Sequence, residues 1–168
     1  PAVTQQSEEN LANRVLDWVE QAGDEPKWSG DRKKRIGYDY VHSMVDDHSR
    51  LAYSEILDDE QGVTAAGFWR RARLWFAARG IAIERCLTDN GSCYRSRVWA
   101  AALAETAVTH KRTRPYRPQT NGKAERFIQS ALREWAYGIA YERSSQRTEM
   151  LAKWQHHYNW HRPHAGIG

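Results

Sequence analysis

Asp89-Asn90-Gly91-Ser92 follows a short apolar run, and thirty-five residues separate Asp89 from Glu125, which opens a helical pattern just past Pro118-Gln119-Thr120-Asn121-Gly122. One carboxylate at the end of a strand and another on the first turn of a later helix bring two hard oxygen ligands to one divalent cation. Magnesium chemistry on phosphates is what such a pair serves. Asp-Asn-Gly alone is a common turn, so the weight rests on its coupling to Glu125. Between the two acids lie Lys111, Arg112, Arg114, Arg117 and Lys123 beside Tyr116. That is enough positive charge to follow a nucleic-acid backbone, and Gln119 and Asn121 are placed to touch bases or sugars. Asn90 and Ser92 are expected to support the geometry after the strand, and Gly91 to permit the turn that points Asp89 into a cleft.

These residues need elements to position them, and the 168-residue chain is long enough to build one domain around a sheet without disulfides. Lys and Arg exceed Asp and Glu by four, with clusters at Arg32 to Arg35 and Lys111 to Arg117. A polyanionic partner fits that excess, although solvated surface charge would give the same composition. Cys86 and Cys93 have neither zinc spacing nor a disulfide framework, and suit a reducing cytoplasm. No apolar stretch approaches transmembrane length, so no membrane partner is expected. Pro1 to Asn10 do not read as a signal, and without an initiator Met the chain is expected to be a segment of something longer.

Ser7 can cap a helix carrying Leu11, Val15, Trp18 and Val19 up to Gly23, followed by a linker, so residues 1–27 read as a leader and 28–168 as the core. From Trp28 to Leu57 three strands are expected, broken at Gly37 and at Asp46-Asp47-His48-Ser49-Arg50, as an antiparallel meander. Gln61 to Arg79 reads as a long helix whose stripe runs through Val63, Ala66, Gly67, Arg70 and Leu74, widened by Phe68, Trp69, Trp75 and Phe76, with Gly80 as its cap. Ile81 to Thr88 is then a strand parallel to an earlier one, at whose carboxyl end functional groups gather. Ser96 to Thr106 is helical, Val108 to Lys111 a short strand, and Arg114 to Gly122 a basic loop with two prolines. Helices over Lys123 to Tyr141 and from Ser144 or Ser145 to Tyr158 complete the chain before Pro163. The class is α/β, a mixed sheet flanked by helices.

Gly37-Tyr38-Asp39-Tyr40-Val41-His42, Val45-Asp46-Asp47-His48-Ser49-Arg50, Thr88-Asp89-Asn90-Gly91-Ser92, Arg117-Pro118-Gln119-Thr120-Asn121-Gly122-Lys123-Ala124-Glu125-Arg126-Phe127 and Tyr158-Asn159-Trp160-His161-Arg162-Pro163-His164 together resemble the integrase core of bacterial insertion-sequence transposases, within the retroviral-integrase superfamily. The likeness runs from about Gly37 to Gly168, with the motifs in order and at that family's spacing. It implies a ribonuclease H-like fold, a mixed five-stranded sheet flanked by helices. It also implies three acidic residues holding two Mg²⁺ or Mn²⁺ ions per active site for DNA cleavage and strand transfer.

Asp89 and Glu125 match the second and third acidic positions. The first belongs on the first strand, ahead of the turn into the Tyr38 strand, and Asp31 is the acidic residue placed there, with Asp24 as second choice. Where the family has apolar residues before that aspartate, this chain has Lys27-Trp28-Ser29-Gly30. The partners implied are transposon-end and target DNA and further copies of the chain, since joining two DNA ends needs at least two active sites. A core that binds DNA or subunits without cutting, and a hydrolase of RNA–DNA hybrids, are the rival functions. His157, His161 and His164 fall at helical spacing but lack a carboxylate or cysteine partner for zinc. Asn159, Arg162 and His164 are expected in packing or phosphate contacts, and Trp69, Trp75, Trp135 and Trp154 in the core or a subunit interface.

Overall fold

The computed structural model describes residues 39–114 and 121–163. The expected leader helix, its linker, the first strand and Asp31 lie outside the described residues, as do Arg117, Gln119 and His164.

The hairpin comes first. Strand β1 (Tyr40–Val45) pairs antiparallel with β2 (Ala52–Leu57), Val45 opposite Ala52 and Tyr40 opposite Leu57. The turn between them is built by Asp46, whose Oδ2 accepts from the Ser49 N–H and the Ser49 hydroxyl, each at 2.7 Å. Arg50 closes it with φ of 64°, a left-handed value that a non-glycine residue adopts only where surrounding bonds impose it.

Alternation along β2 sends neighbouring residues to opposite faces. Ala52 and Ile56 join Phe127, Ala131, Trp135, Leu151, Trp154 and Tyr158 on one side, while Tyr53 and Leu57 join Phe68, Ala72 and Phe76 on the other. The hairpin is therefore a middle layer between helices. Its outer backbone edge is closed by side chains: the Asn159 amide donates to the Ala52 carbonyl (2.9 Å) and accepts from the Ala52 N–H (2.8 Å), and Gln155 Oε1 accepts from the Ser54 N–H (2.6 Å). Covering an edge this way removes a template for unwanted strand pairing. Asn159 thus serves packing, as does Arg162, which pairs with Glu134 and lies over the Tyr158 ring.

Helix α1 (Gly62–Ala77) runs where the long apolar pattern placed it. Of the expected stripe, Ala66 and the widening residues Phe68, Trp69 and Phe76 face inward, while Val63, Arg70 and Leu74 do not. Val63 is 67% exposed and Leu74 55%, and Arg70 is exposed as well, whereas Ala65, Ala66, Phe68, Trp69, Ala72 and Phe76 are buried. The aromatic residues carry far more apolar area than Val63 and Leu74, and area decides which face turns inward. Gly80, with φ of 75°, follows the helix end, and the Ile81 N–H reaches back to the Phe76 carbonyl at 3.1 Å.

Strand β3 is shorter than expected, Arg85–Thr88, because Ile81 and Ile83 pack against the buried clusters without forming a ladder. Among the described residues its parallel partner is the later strand β4 (Thr109–Arg112), reached through α2 (Arg97–Ala104). Ser96 caps α2 by accepting from the Trp99 N–H at 3.1 Å. Among the described residues the strands form two two-stranded sheets, β1–β2 and β3–β4, and not a five-stranded one.

Helix α3 (Gly122–Ala131) gives way to a single π-helical turn, Leu132–Ala136, instead of running on to Tyr141. The extra residue in that turn lets Trp135 enter the core, where its indole N–H donates to the Arg147 carbonyl (2.8 Å) and its ring stacks at 6.3 Å from Trp154. Helix α4 (Ser144–Trp160) returns across the hairpin. Trp69, Trp135 and Trp154 are core residues, with Trp75 half-buried against Tyr53 and Phe76. Among the described residues no helix is long and apolar enough to cross a membrane.

Candidate metal and nucleic-acid site

Asp89 is exposed at the carboxyl end of β3. Its Oδ1 accepts from the Gly91 N–H at 2.8 Å, which is the Asx turn that an Asp-Asn-Gly sequence favours. Gly91 is needed for room rather than for a left-handed backbone. Its φ is not positive, yet a Cβ there would stand 3.0 Å from Asp89 Oδ1 and 3.4 Å from the Tyr94 ring. Asn90 donates from Nδ2 to the Thr113 carbonyl (3.0 Å), tying the turn to the residue after β4. Ser92 opens the short 3₁₀ turn Cys93–Arg95 and borders a cleft of about 490 Å³ that also touches Tyr40, Asp59, Glu60, Gln61, Gly62 and Cys93.

Glu125 occupies the first turn of α3 and is exposed. The helix is seated two residues later by Phe127, which is 2% exposed, with its ring 4.9 Å from Tyr158 and 5.6 Å from Trp154. Two residues earlier, Lys123 forms an ion pair with Asp47 in the β1–β2 turn and donates to the Asp47 carbonyl at 3.1 Å. The carboxylate of Glu125 therefore sits between a buried aromatic anchor and a surface clasp. Lys123 and, less strongly, Arg50 hold the Asp47 carboxyl below the usual carboxylate range.

The donor chemistry suits a hard divalent cation. Among the described residues Asp89 Oδ2 and both Glu125 oxygens carry no hydrogen bond or ion pair, so charged oxygen atoms remain for a ligand shell. Among those same residues no group of three or more His, Cys, Asp or Glu side chains is gathered as a metal site. Asp31, the expected third acid, is outside them.

Lys111 and Arg112 on β4 and Arg114 just beyond are exposed, and among the described residues none is held in an ion pair. Asn121 precedes α3 without capping it through its side chain. At the far end of α4 the rings of His157 and His161 stack, and His156, which helical spacing had not singled out, brings its Nε2 to 3.3 Å from that of His161. Sequence reasoning also missed Asp47 and His110. The paired acids of the turn hinted at the first; nothing along the chain marked the second, whose partners come from β3 and α2.

The two thiols beside the Asp89 turn are buried. Burial pushes Cys86 up to about 12 and raises Cys93 as well, which leaves neither a ready metal ligand at neutral pH.

Two models described as integrase core domain match the chain, one over residues 23–118 and one over residues 106–168. Curated relatives include the transposases InsD of insertion elements IS2E and IS2D of Escherichia coli strain K12, each 34% identical over 83 residues, or 49% of this chain. Those alignments span 38% and 27% of the relatives' own lengths, well under half of each. Among solved structures, the HTLV-2 integrase catalytic core domain in complex with magnesium superposes with a TM-score of 0.60 at 15% identity, covering 82% of this chain and 84% of that one. The catalytic core domain of BIV integrase gives 0.56 at 17% identity, covering 76% and 80%. At such identities the likeness establishes the fold.

Proposed function

Because the chain belongs to the integrase core domain family, we propose that it is the catalytic core of a DNA transposase, cutting phosphodiester bonds at transposon ends and joining the released ends to target DNA. The observation that supports this reading is an exposed carboxylate at the end of β3, Asp89, and another on the first turn of α3, Glu125, each with oxygen atoms that carry no bond among the described residues. On this reading the two strand pairs are parts of one five-stranded ribonuclease H-like sheet, whose first strand carries Asp31.

Asp31, Asp89 and Glu125 would hold two Mg²⁺ or Mn²⁺ ions. Such ions supply an acidified water and charge stabilisation on the leaving oxygen. The chain's own residues do the rest. Asn90 and Gly91 keep Asp89 at the strand end, with Ser92 at the mouth of the neighbouring cleft. Lys111, Arg112, Arg114, Arg117 and Lys123 hold backbone phosphates, and Gln119 and Asn121 reach sugars or base edges. Cutting leaves a 3′-hydroxyl, and the same residues then align that hydroxyl against a target phosphate, so one site serves both steps. Two ends must be joined together, which makes a homodimer or larger assembly the working form, in the cytoplasm where its DNA lies.

Glu125→Gln tests the reading by keeping shape while removing charge. Nicking of terminal-repeat DNA in Mg²⁺ should fall by at least about a hundredfold, on the scale of losing one preorganised electrostatic group. Cleavage near the wild-type rate would remove Glu125 from the site. DNA binding without cutting by the wild-type chain would favour a non-cutting core.

A further inference from the structure

Among the described residues Asp89 makes one side-chain bond, to the amide two residues on, so its aim depends on its neighbours. Both neighbours are tied to the segment that carries β4. After Asp89, the Asn90 amide holds the Thr113 carbonyl. Before it, Thr88 is buried, and its hydroxyl lies 2.9 Å from His110 Nε2 and 3.0 Å from the Asp89 carbonyl oxygen.

The register explains the meeting. Cys86 stands opposite His110, and Thr88 is two residues further along the same face, so His110 and Thr88 are diagonal neighbours across a parallel pair. The Trp99 indole closes the arrangement from α2, with its N–H 3.4 Å from the same Nε2 and its ring edge-on to the imidazole at 5.8 Å. The Thr88 hydroxyl carries one proton; with that proton on the Asp89 carbonyl oxygen, the imidazole donates its Nε2–H to the Thr88 oxygen, and the indole N–H at 3.4 Å is then a contact against the ring. Burial, and then the charge of Arg112 two residues along β4, lower the His110 pKa and favour the neutral ring.

We propose that His110 is a positioning residue for the Asp89 turn: its Nε2 fixes the Thr88 hydroxyl between β3 and β4, and Thr88 in turn fixes the peptide plane from which the Asp89 side chain departs. Thr88 is β-branched, so locking its hydroxyl locks its one torsion and the backbone beside it. The consequence for catalysis rests on reading Asp89 as a metal ligand; the consequence for the turn does not.

The test uses the full chain and two readouts. Exchange of the Gly91 amide proton reports the Asp89 turn directly, and Mn²⁺ affinity by calorimetry reports the ligand. His110→Phe and the near-isosteric Thr88→Val should each speed Gly91 exchange about tenfold and weaken Mn²⁺ binding at least about tenfold, the scale for groups that orient a ligand from behind. The double variant should do no more than either single one, because both changes break the same link. His110→Gln, which keeps an N–H able to reach the Thr88 hydroxyl, should stay near wild type in both. Unchanged Gly91 exchange in folded Thr88→Val and His110→Phe would overturn the proposal. A Gly91 response in a Mn²⁺-binding chain whose affinity does not move would leave His110 positioning the turn and remove Asp89 from the metal site. If the wild-type chain binds no Mn²⁺ while Gly91 responds as expected, His110 positions the turn and it is the metal reading of Asp89 that fails.

Discussion

Replacing Phe127 by Ala should loosen the helix that carries Glu125. The ring is 2% exposed and touches Tyr158 edge-on at 4.9 Å and Trp154 at 5.6 Å, so truncation removes a full aromatic side chain and one ring contact from each of these two neighbours. Burying Phe to Ala cavities costs about 3–5 kcal/mol in well-packed cores. Aromatic neighbours that lose an edge-to-face contact push the cost toward the upper half of that range. For a chain of this size the loss corresponds to a fall in Tm of roughly 6–20 °C. Ile128, the next residue on α3, is 47% exposed and supplies the control, since Ile128→Ala should change stability by no more than about 0.5 kcal/mol. Urea unfolding followed by tryptophan fluorescence measures both, with the indoles of Trp135 and Trp154 lying in the same cluster. A Phe127→Ala loss below about 1 kcal/mol, or a loss matched by Ile128→Ala, would refute the view that α3 is anchored through Phe127.

Lys123→Ala should let the Asp47 carboxyl titrate closer to its ordinary value of 3.8, because the Lys123 contact is the largest influence lowering it. The folded value is the depressed one, so the pair's stabilisation is complete above 3.8 and is lost as pH falls through the lower folded value. The carboxylate is mostly exposed, which limits the effect on overall stability to under about 1 kcal/mol and makes it fade with salt. An unchanged Asp47 titration by NMR in Lys123→Ala would count against the clasp. Cys86, pushed up to about 12 by burial, should resist alkylation at pH 8 in the native chain and react promptly after unfolding in urea. Native labelling as fast as that of the unfolded chain would show that the thiol is not buried as described.

Much of the site was legible because it is written locally. Asp-Asn-Gly after an apolar run makes a turn through bonds two residues long, and that turn is present with Asp89 Oδ1 on the Gly91 amide. Glu125 on the first turn of a helix followed from Gly122 and the helical pattern after it, and α3 begins at Gly122. The order of elements from β1 to α4 likewise follows periodicity, which is a property of neighbours along the chain. The role of Gly91 was less legible, since its need for room depends on where the Tyr94 ring comes to rest.

What sequence alone determined, then, was the kind of each element, the turn at Asp89, the start of the helix at Glu125, and membership of a family whose motifs are linear. Tertiary structure decided the partners. It chose the aromatic face of α1 over the Val63 and Leu74 face, paired β3 with β4, gave Lys123 to Asp47 across 76 residues, and closed the β2 edge with Asn159 from 107 residues away. It also set His110 behind the Asp89 turn. Periodicity fixes where a side chain points along its own helix or strand, but which group it meets depends on burying the most apolar area while satisfying each buried polar atom. That balance exists only once distant segments are packed together.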